Sequence, residues 1–392
     1  MSGRAPARYE VVVAGGGPAG AAAALTLARE GRSVLLADAG TGPAKVGESL
    51  PSATRSLLRD LGAAEEALGT GHLPCYANLS AWGSSALGSV DFINDPNGPG
   101  WHLDRPLFDR GLREAARAAG ARLRERTAVR IRSRRPDGGW TLALRETGRR
   151  SPAEAAVRCD WLVDATGRSR AVASRRRAGH HIGDRLFATH LQLEPAASPA
   201  VSPAGAQSSS LVESTADGWW YTTVLPGGGR LVVYFTDSDL AAPGLRSARG
   251  FGELLRQTRH IADRIAAHPF PPGVVPRRAP AHTTRLDTPH GDRWVAVGDA
   301  AATFDPVSSQ GIITALYTGM TAARSLHAHL CGDDRALTGY RTGVTALFAA
   351  YECNRRTVYA QERRWADRPF WHRRFSPQGP GPTPPPTLRS FT

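Results

Sequence analysis

Lysine is almost missing from this chain: Lys45 is the single example, so arginine carries the rest of a basic complement of 49 Lys and Arg. Cysteine is sparse as well. Cys75, Cys159, Cys331 and Cys353 lie far apart and form no CxxC, which excludes zinc-ribbon spacing and a disulfide framework and fits a reduced compartment. No apolar run reaches the roughly 18 residues needed to cross a bilayer, and none precedes the first strand. Without a membrane span or leader, a cytoplasmic location is expected. His180-His181 lacks a third spaced ligand, so no metal is expected, and no internal repeat is visible. The formal net charge of +14 invites a nucleic-acid partner, yet the arginines are scattered through helices and loops rather than gathered with aromatics on one face. Nucleic acid is therefore not expected, although a basic surface attracts an acidic carrier or peptide.

What the chain does have is length and alternating element types. Its 392 residues suit two intimately joined domains, or one large α/β domain with an insertion. Helix-like patterns run over Ser52 to Leu61, Asp104 to Gly120, Phe251 to Ala267, Gly311 to Leu326 and residues 335–374. A hairpin is expected across Pro136-Asp137-Gly138-Gly139, and residues 185–240 alternate as an antiparallel sheet does, interrupted by a mobile loop from Ala196 to Ser209. Segment 71–100 reads as short strands and loops. The proline-rich end, residues 376–392, reads as a disordered tail.

The opening is the most specific part. Val11-Val12-Val13-Ala14 runs into Gly15-Gly16-Gly17-Pro18-Ala19-Gly20, an alanine-rich helix follows, and the next strand ends at Asp38. Gly15, Gly17 and Gly20 occupy the three fingerprint positions for the tight turn, the approach of a pyrophosphate, and helix-on-strand packing. Pro18 and Ala19 then open the helix whose N-terminus faces the phosphates, and Asp38 is placed to accept from a ribose hydroxyl.

Two later motifs, Asp164-Ala165-Thr166-Gly167 and Gly298-Asp299 with Pro306 and Gly311, stand in fixed order behind the first. Together the three resemble the flavoprotein monooxygenases of the p-hydroxybenzoate hydroxylase fold. Gly47-Glu48-Ser49-Leu50-Pro51, Trp101 to Arg105, Asp305 to Gly311, and Glu362 to Trp365 with Pro369-Phe370-Trp371 look like the branch holding the flavin-dependent tryptophan halogenases. They look closer still to monooxygenase-like proteins that modify tryptophan during maturation of quinone-cofactor enzymes. Geranylgeranyl reductases share several of these motifs.

The resemblance implies an α/β fold with α+β insertions: a Rossmann-like FAD domain, an interleaved antiparallel-sheet substrate domain, and a helical C-terminal region. Residues 1–70, 101–178 and 280–334 would form the first, 71–100 and 179–279 the second, and 335–375 the third. It places Asp299 on the ribityl chain of FAD, with a helix N-cap as the plainer alternative. Gly298 admits close backbone, Pro306 fixes a turn, and Gly311 with Ile312 opens a helix whose positive end faces the flavin pyrimidine. Glu48 and Ser49 lie against the isoalloxazine and Arg105 toward the phosphates, or are surface contacts. Asp164 and Gly167 form the second fingerprint, or only a structural turn. No second complete GxGxxG exists, so NAD(P)H visits transiently or a partner reductase supplies reduced flavin.

The resemblance also frames the reaction. A halogenase needs a lysine between flavin and substrate, and the corresponding stretch, Gly71 to Ser85, has none, while Lys45 belongs to the flavin loop. The halogenase WxWxIP motif is unmet; the nearest segment is Trp219-Trp220-Tyr221-Thr222-Thr223-Val224-Leu225-Pro226. Hydroxylation by dioxygen through a C4a-hydroperoxide is then the expected reaction, on an aromatic or indole-like group that is free, carrier-bound or peptidyl. Tyr76, Trp82, Trp101, Trp219, Trp220 and Tyr221 are candidates to line its pocket, or are core; strand alternation puts Trp219 and Tyr221 on one face and Trp220 on the other. His190, Glu213 and His282 are the candidate bases, none in a recognisable constellation. Halogenation, reduction of an isoprenoid chain and a non-catalytic maturation role remain the alternatives.

Overall fold

The computed structural model describes residues 6–41, 47–148, 154–196 and 208–375. β1 (Ala7–Ala14) starts the chain, and Val11, Val12 and Val13 are fully buried, as in a central strand covered on both faces. α1 (Pro18–Arg29) follows with proline in its first turn, where a missing N–H costs nothing, and β2 (Val34–Ala37) returns parallel to β1. Next come β3 (Ser49–Leu50), α2 (Thr54–Leu61), α3 (Ala64–Ala67), β4 (Leu73–Cys75), β5 (Ala77–Ala81), β6 (Gly88–Asp91) and β7 (Gly100–His102). α4 (Arg105–Ala118) is capped by Asp104, whose carboxylate accepts from Leu107 N.

β8 (Arg122–Arg124), the hairpin β9 (Thr127–Arg134) and β10 (Trp140–Glu146), and β11 (Glu154–Asp164) complete most of one sheet. α5 (Ala171–Arg175) and β12 (His180–Ile182) lead to β13 (Leu186–Leu193), β14 (Ser209–Thr215), β15 (Gly218–Val224) and β16 (Arg230–Asp237). After α6 (Ala248–Leu255) and α7 (His260–Ile265) come β17 (Arg277–Pro280), β18 (Thr284–Leu286), β19 (His290–Gly291), β20 (Trp294–Ala296) and β21 (Ala302–Thr303). Three helices end the described chain: α8 (Gly311–Leu330), α9 (Ala336–Gln361) and α10 (Pro369–Phe375).

Two large sheets organise these elements into a mixed α/β fold. The first runs β19-β20-β11-β1-β2-β8, with the β10–β9 hairpin joined to β11. The second runs β17-β13-β16-β15-β14-β5-β6 and is antiparallel except where β5 pairs parallel with β14. Segment 71–100 divides between sheets: β5 and β6 extend the second, whereas β4 pairs with β7 beside β3 in a three-stranded sheet of its own. The expected hairpin and antiparallel run are both present.

Some expected boundaries shift for identifiable reasons. The single helix expected over Phe251 to Ala267 is two, because Glu213 on β14 accepts from the backbone N–H groups of Arg259 and Ile261 and so starts α7 afresh. The helical run over 335–374 breaks after Gln361, where buried Glu362 turns to the sheet and accepts from Ser214 Oγ at 2.6 Å and Gly83 N at 2.8 Å. The expected tail, and residues 197–207 of the expected mobile loop, lie outside the described residues.

α1 crosses α8 at very short range because alanine and glycine line the contact. A Cβ on Gly319 of α8 would collide with the Ala19 carbonyl in the first turn of α1. Replacing Gly319 by valine is expected to cost roughly 1–3 kcal/mol or more, read as a lowered urea midpoint, since both partners at the clash are backbone.

Candidate functional site

The turn after β1 is built for close backbone approach. Gly15 sits at φ +111°, and Cβ atoms on Gly15 and Gly20 would strike the Ala165 and Gly15 carbonyls. Gly17 is the residue before α1, so Pro18, Ala19 and Gly20 present the helix N-terminus to whatever lies over the turn. Asp38, partly exposed at the end of β2, accepts from Gly16 N at 3.3 Å and faces Arg113 at 3.8 Å. Gly298 (φ +57°) closes the cradle from below, where its Cβ would lie 2.6 Å from that of Ala19. Asp299 follows on a short 3-10 turn, half-exposed, with Arg168 at 3.8 Å.

Asp164 organises its own turn. Its carboxylate accepts from Thr166 N and Oγ1 on one oxygen and from Val172 N and Ala173 N on the other, so it pins the turn and starts α5. The turn's approach to the cradle is made by backbone, through Ala165, with Gly167 (φ +63°) just beyond. Arg168, from the same motif, donates to the His282 carbonyl at 2.8 Å and so ties this turn to β18.

A second layer comes from the loops. Glu48 is buried and accepts from Gly47 N at 2.9 Å; burial raises its carboxyl pKa against the pull of that N–H and of Arg105. Arg105 donates to the Gly47 carbonyl and pairs with Asp109, which fixes the Glu48–Ser49 loop to α4. Across the gap, Asp305 opens the turn through Pro306 to Gly311 and Ile312. Its Oδ1 accepts from Val307 N (3.0 Å), its Oδ2 from the Tyr359 hydroxyl (2.8 Å), and its own N–H donates to the Tyr351 hydroxyl (2.7 Å). Tyr359 also accepts from Trp219 Nε1 at 3.1 Å, so one chain of bonds joins the second sheet to this loop. Burial pushes the Asp305 carboxyl up to about 6. No described atom lies within 4 Å of a Cβ built on Gly311, leaving the start of α8 open.

The six aromatic candidates separate. Trp219 stacks on Phe235 at 3.9 Å, and Trp82 sits edge-on to Trp219 and Trp371, so both belong to the seam between the second sheet and α10. Trp220 points to the other face and packs against Tyr234 and Phe251. Trp101 lies in the core beside α1 and α4 with Arg55 over its ring, and Tyr76 is 51% exposed. Tyr221 turns its group to the loop: its hydroxyl is buried with no partner at full hydrogen-bond geometry, Thr223 and Ser49 are the polar groups beside it, and Glu48 and Cys75 are the titratable ones. Burial raises its pKa further.

The three base candidates separate too. Glu213 is spent capping α7 on the far side of the sheet. His282 is half-buried beside Arg168, and burial with that charge lowers its pKa. His190 is buried on the same face as Tyr221, in register with Val233, which in turn is in register with Tyr221. Burial first, then Arg277, lowers the His190 pKa and keeps the imidazole neutral.

The family model described as "FAD binding domain" matches residues 8–361, which include every motif just placed. The chain belongs to that family. LodB of Marinomonas mediterranea, named as a FAD-dependent oxidoreductase, is 29% identical over 94% of this chain and 97% of its own length. Among solved structures, the myxobacterial chondrochloren halogenase CndH superposes with a TM-score of 0.82 (22% identity, 94% of this chain and 86% of that one). The peptidyl tryptophan dihydroxylase QhpG gives 0.72 (24% identity, 94% and 79%).

This chain is therefore a FAD-dependent oxidoreductase, and its residues fit the cofactor: a backbone cradle at Gly15 to Gly20 and an open helix N-terminus at Gly311 suit a dinucleotide with an electron-rich ring. Other buried polar groups beside these motifs were not singled out from the sequence. His102 shares a 2.7 Å hydrogen bond with Thr223, and burial takes its pKa down to about 4. Tyr351 and Tyr359 carried a usable signal, since eight residues apart on one helix they share a face.

Asp305 gives a pH test. A folded-state carboxyl raised from 3.8 to about 6 binds its proton more tightly than the unfolded chain does, so its stability contribution is complete below about 4 and is lost as pH rises through 6. Unfolding curves of wild type and Asp305→Asn across that window are expected to shift in the variant's favour by on the order of 1–3 kcal/mol. A difference independent of pH would contradict the assignment.

Proposed function

We propose that this flavoenzyme is a monooxygenase that hydroxylates an indole or similar electron-rich ring, carried on a polypeptide. The observation that carries the reading is chemical: beside Tyr221 and Glu48 the segment Leu73 to Ala81 offers a thiol, hydroxyls and backbone but no amine. The only lysine of the chain is Lys45, in the preceding loop. A halogenating route through a lysine between cofactor and substrate has no residue to use there. QhpG is named for peptidyl tryptophan dihydroxylation, and a substrate of that kind suits the exposed Leu87, Val90 and Ile93 that follow Tyr76 on the β5–β6 hairpin.

Reduced FAD, when bound, supplies the electron pair and the activation of dioxygen, with NAD(P)H or a partner reductase as the source. The protein's part is positioning and proton handling. Leu231, Val233 and Val307 keep the face around Tyr221 apolar and dry, which strengthens each polar contact made within it. Tyr221 keeps its proton and donates a hydrogen bond to a substrate oxygen, which orients the ring. His190, neutral and on the same face, takes the ring proton displaced when the carbon–oxygen bond forms. One oxygen atom enters the ring and the other leaves as water.

A tryptophan-containing peptide, reduced holoenzyme and isotopically labelled dioxygen test this in one mass spectrum. The expected product gains labelled oxygen and carries no halogen even in excess bromide. Unlabelled product, halogenated product, or oxygen consumption without product would overturn it. His190→Gln is expected to lower kcat roughly 100-fold or more while leaving FAD absorbance unchanged.

A further inference from the structure

On the opposite face of the second sheet lies a buried cation that the proposed reaction does not use. Arg230 begins β16, in register with Val224 on one side and Leu193 on the other, and is only 2% exposed. Leu193, Val232 and Tyr234 belong to the apolar layer beneath α6 and α7, so alternation sets Arg230 on that face of the sheet, with Tyr221 and His102 still within electrostatic reach across the strand end. Its Nε and Nη1 are buried with no acceptor. Among the described residues it enters no ion pair, and the segments outside them contain no Asp or Glu at all.

A neighbouring cation makes matters worse. Arg264, from α7, is the leading charged neighbour of Arg230, and it stands half-buried with Nη1 donating to Ser209 Oγ at 3.3 Å. Burial and this second cation together lower the Arg230 pKa to about 10, still charged at neutral pH. A guanidinium taken out of water beside another, with its own N–H groups unsatisfied, is unfavourable in a way that packing alone does not offset. A bound oxyanion would supply the acceptors Arg230 lacks. Guanidinium groups match planar carboxylate and tetrahedral phosphate oxygens.

We infer that Arg230 and Arg264 form a binding site for a small oxyanion, a carboxylate or phosphate group, between β14, β16 and α7. Arg230 is the floor and Arg264 the mouth. The site does not depend on which reaction the flavin performs.

Thermal unfolding of the holoenzyme, saturated with FAD so that its own phosphate-binding turn stays filled, decides the matter. Inorganic phosphate and acetate are titrated in separate arms against chloride at constant ionic strength. Wild type is expected to gain a saturable rise in Tm in at least one arm, and the responding arm names the group. Arg230→Met should lose the response and melt higher than wild type in chloride alone, because it removes an unpaired buried charge. Arg264→Gln should keep the fold and raise the half-saturating concentration roughly tenfold or more. Equal responses from wild type and Arg264→Gln, or no saturable rise in either arm, would overturn the site, as would an Arg230→Met protein that unfolds in chloride yet keeps the wild-type response.

Discussion

Backbone meets backbone around Ala19, and the rest of the molecule is arranged to permit it. The Ala19 carbonyl fills the place a side chain on Gly319 would need, its Cβ faces Gly298, and one residue on Gly20 sits over the Gly15 carbonyl, which in turn faces Ala165. Three motifs separated by more than a hundred residues of chain thus touch within one crossing of α1, β1 and α8. A methyl group at several of these points would hold the elements apart, and a dinucleotide needs them together because it is bound by N–H groups and a helix end rather than by long side chains. The surrounding Val11, Val13, Leu25, Leu316 and Met320 supply the apolar burial that holds so close a crossing.

The C-terminal helices extend that arrangement to the second sheet. Tyr351 and Tyr359 of α9 hold both the amide and the carboxyl of Asp305, and Tyr359 takes the Trp219 indole as its donor. Farther along, Glu362, Arg368, Arg373 and Arg374 engage Ser214, Asp217, Asp237 and Asp239 of the sheet. Glu362 is held down to about 2 by Arg364, Ser214 and two backbone N–H groups, despite its burial. These bonds make the loop before α8 and the face bearing Tyr221 parts of one rigid frame, which is what a reaction requiring a ring and a cofactor at fixed separation demands.

The two faces of the second sheet carry opposite chemistry. One is apolar and aromatic and turned to the Glu48 and Asp305 loops, with Tyr221, Thr223 and His190 among its polar groups. The other packs under α6 and α7, absorbs Trp220, and uses Glu213 as a helix cap while leaving Arg230 with donors to spare. A period of two along β14, β15 and β16 is enough to separate neighbours such as Trp219 and Trp220 into these environments.

The sequence by itself determined the cradle. Glycine spacing, the apolar strand before it and the order of the three motifs are local or collinear properties, so the α/β class, the FAD-binding family and most helix and strand types were legible without coordinates. The division of Trp219 from Trp220 was legible too, because alternation needs only a strand. The partners of the aromatic and base candidates were set only by the tertiary fold. Glu213 caps a helix distant in sequence, Trp82 and Trp219 are covered by α9 and α10, and Asp164 turns inward to α5. Each outcome depends on a partner brought by a long-range crossing, and neither periodicity nor residue type encodes which partner arrives.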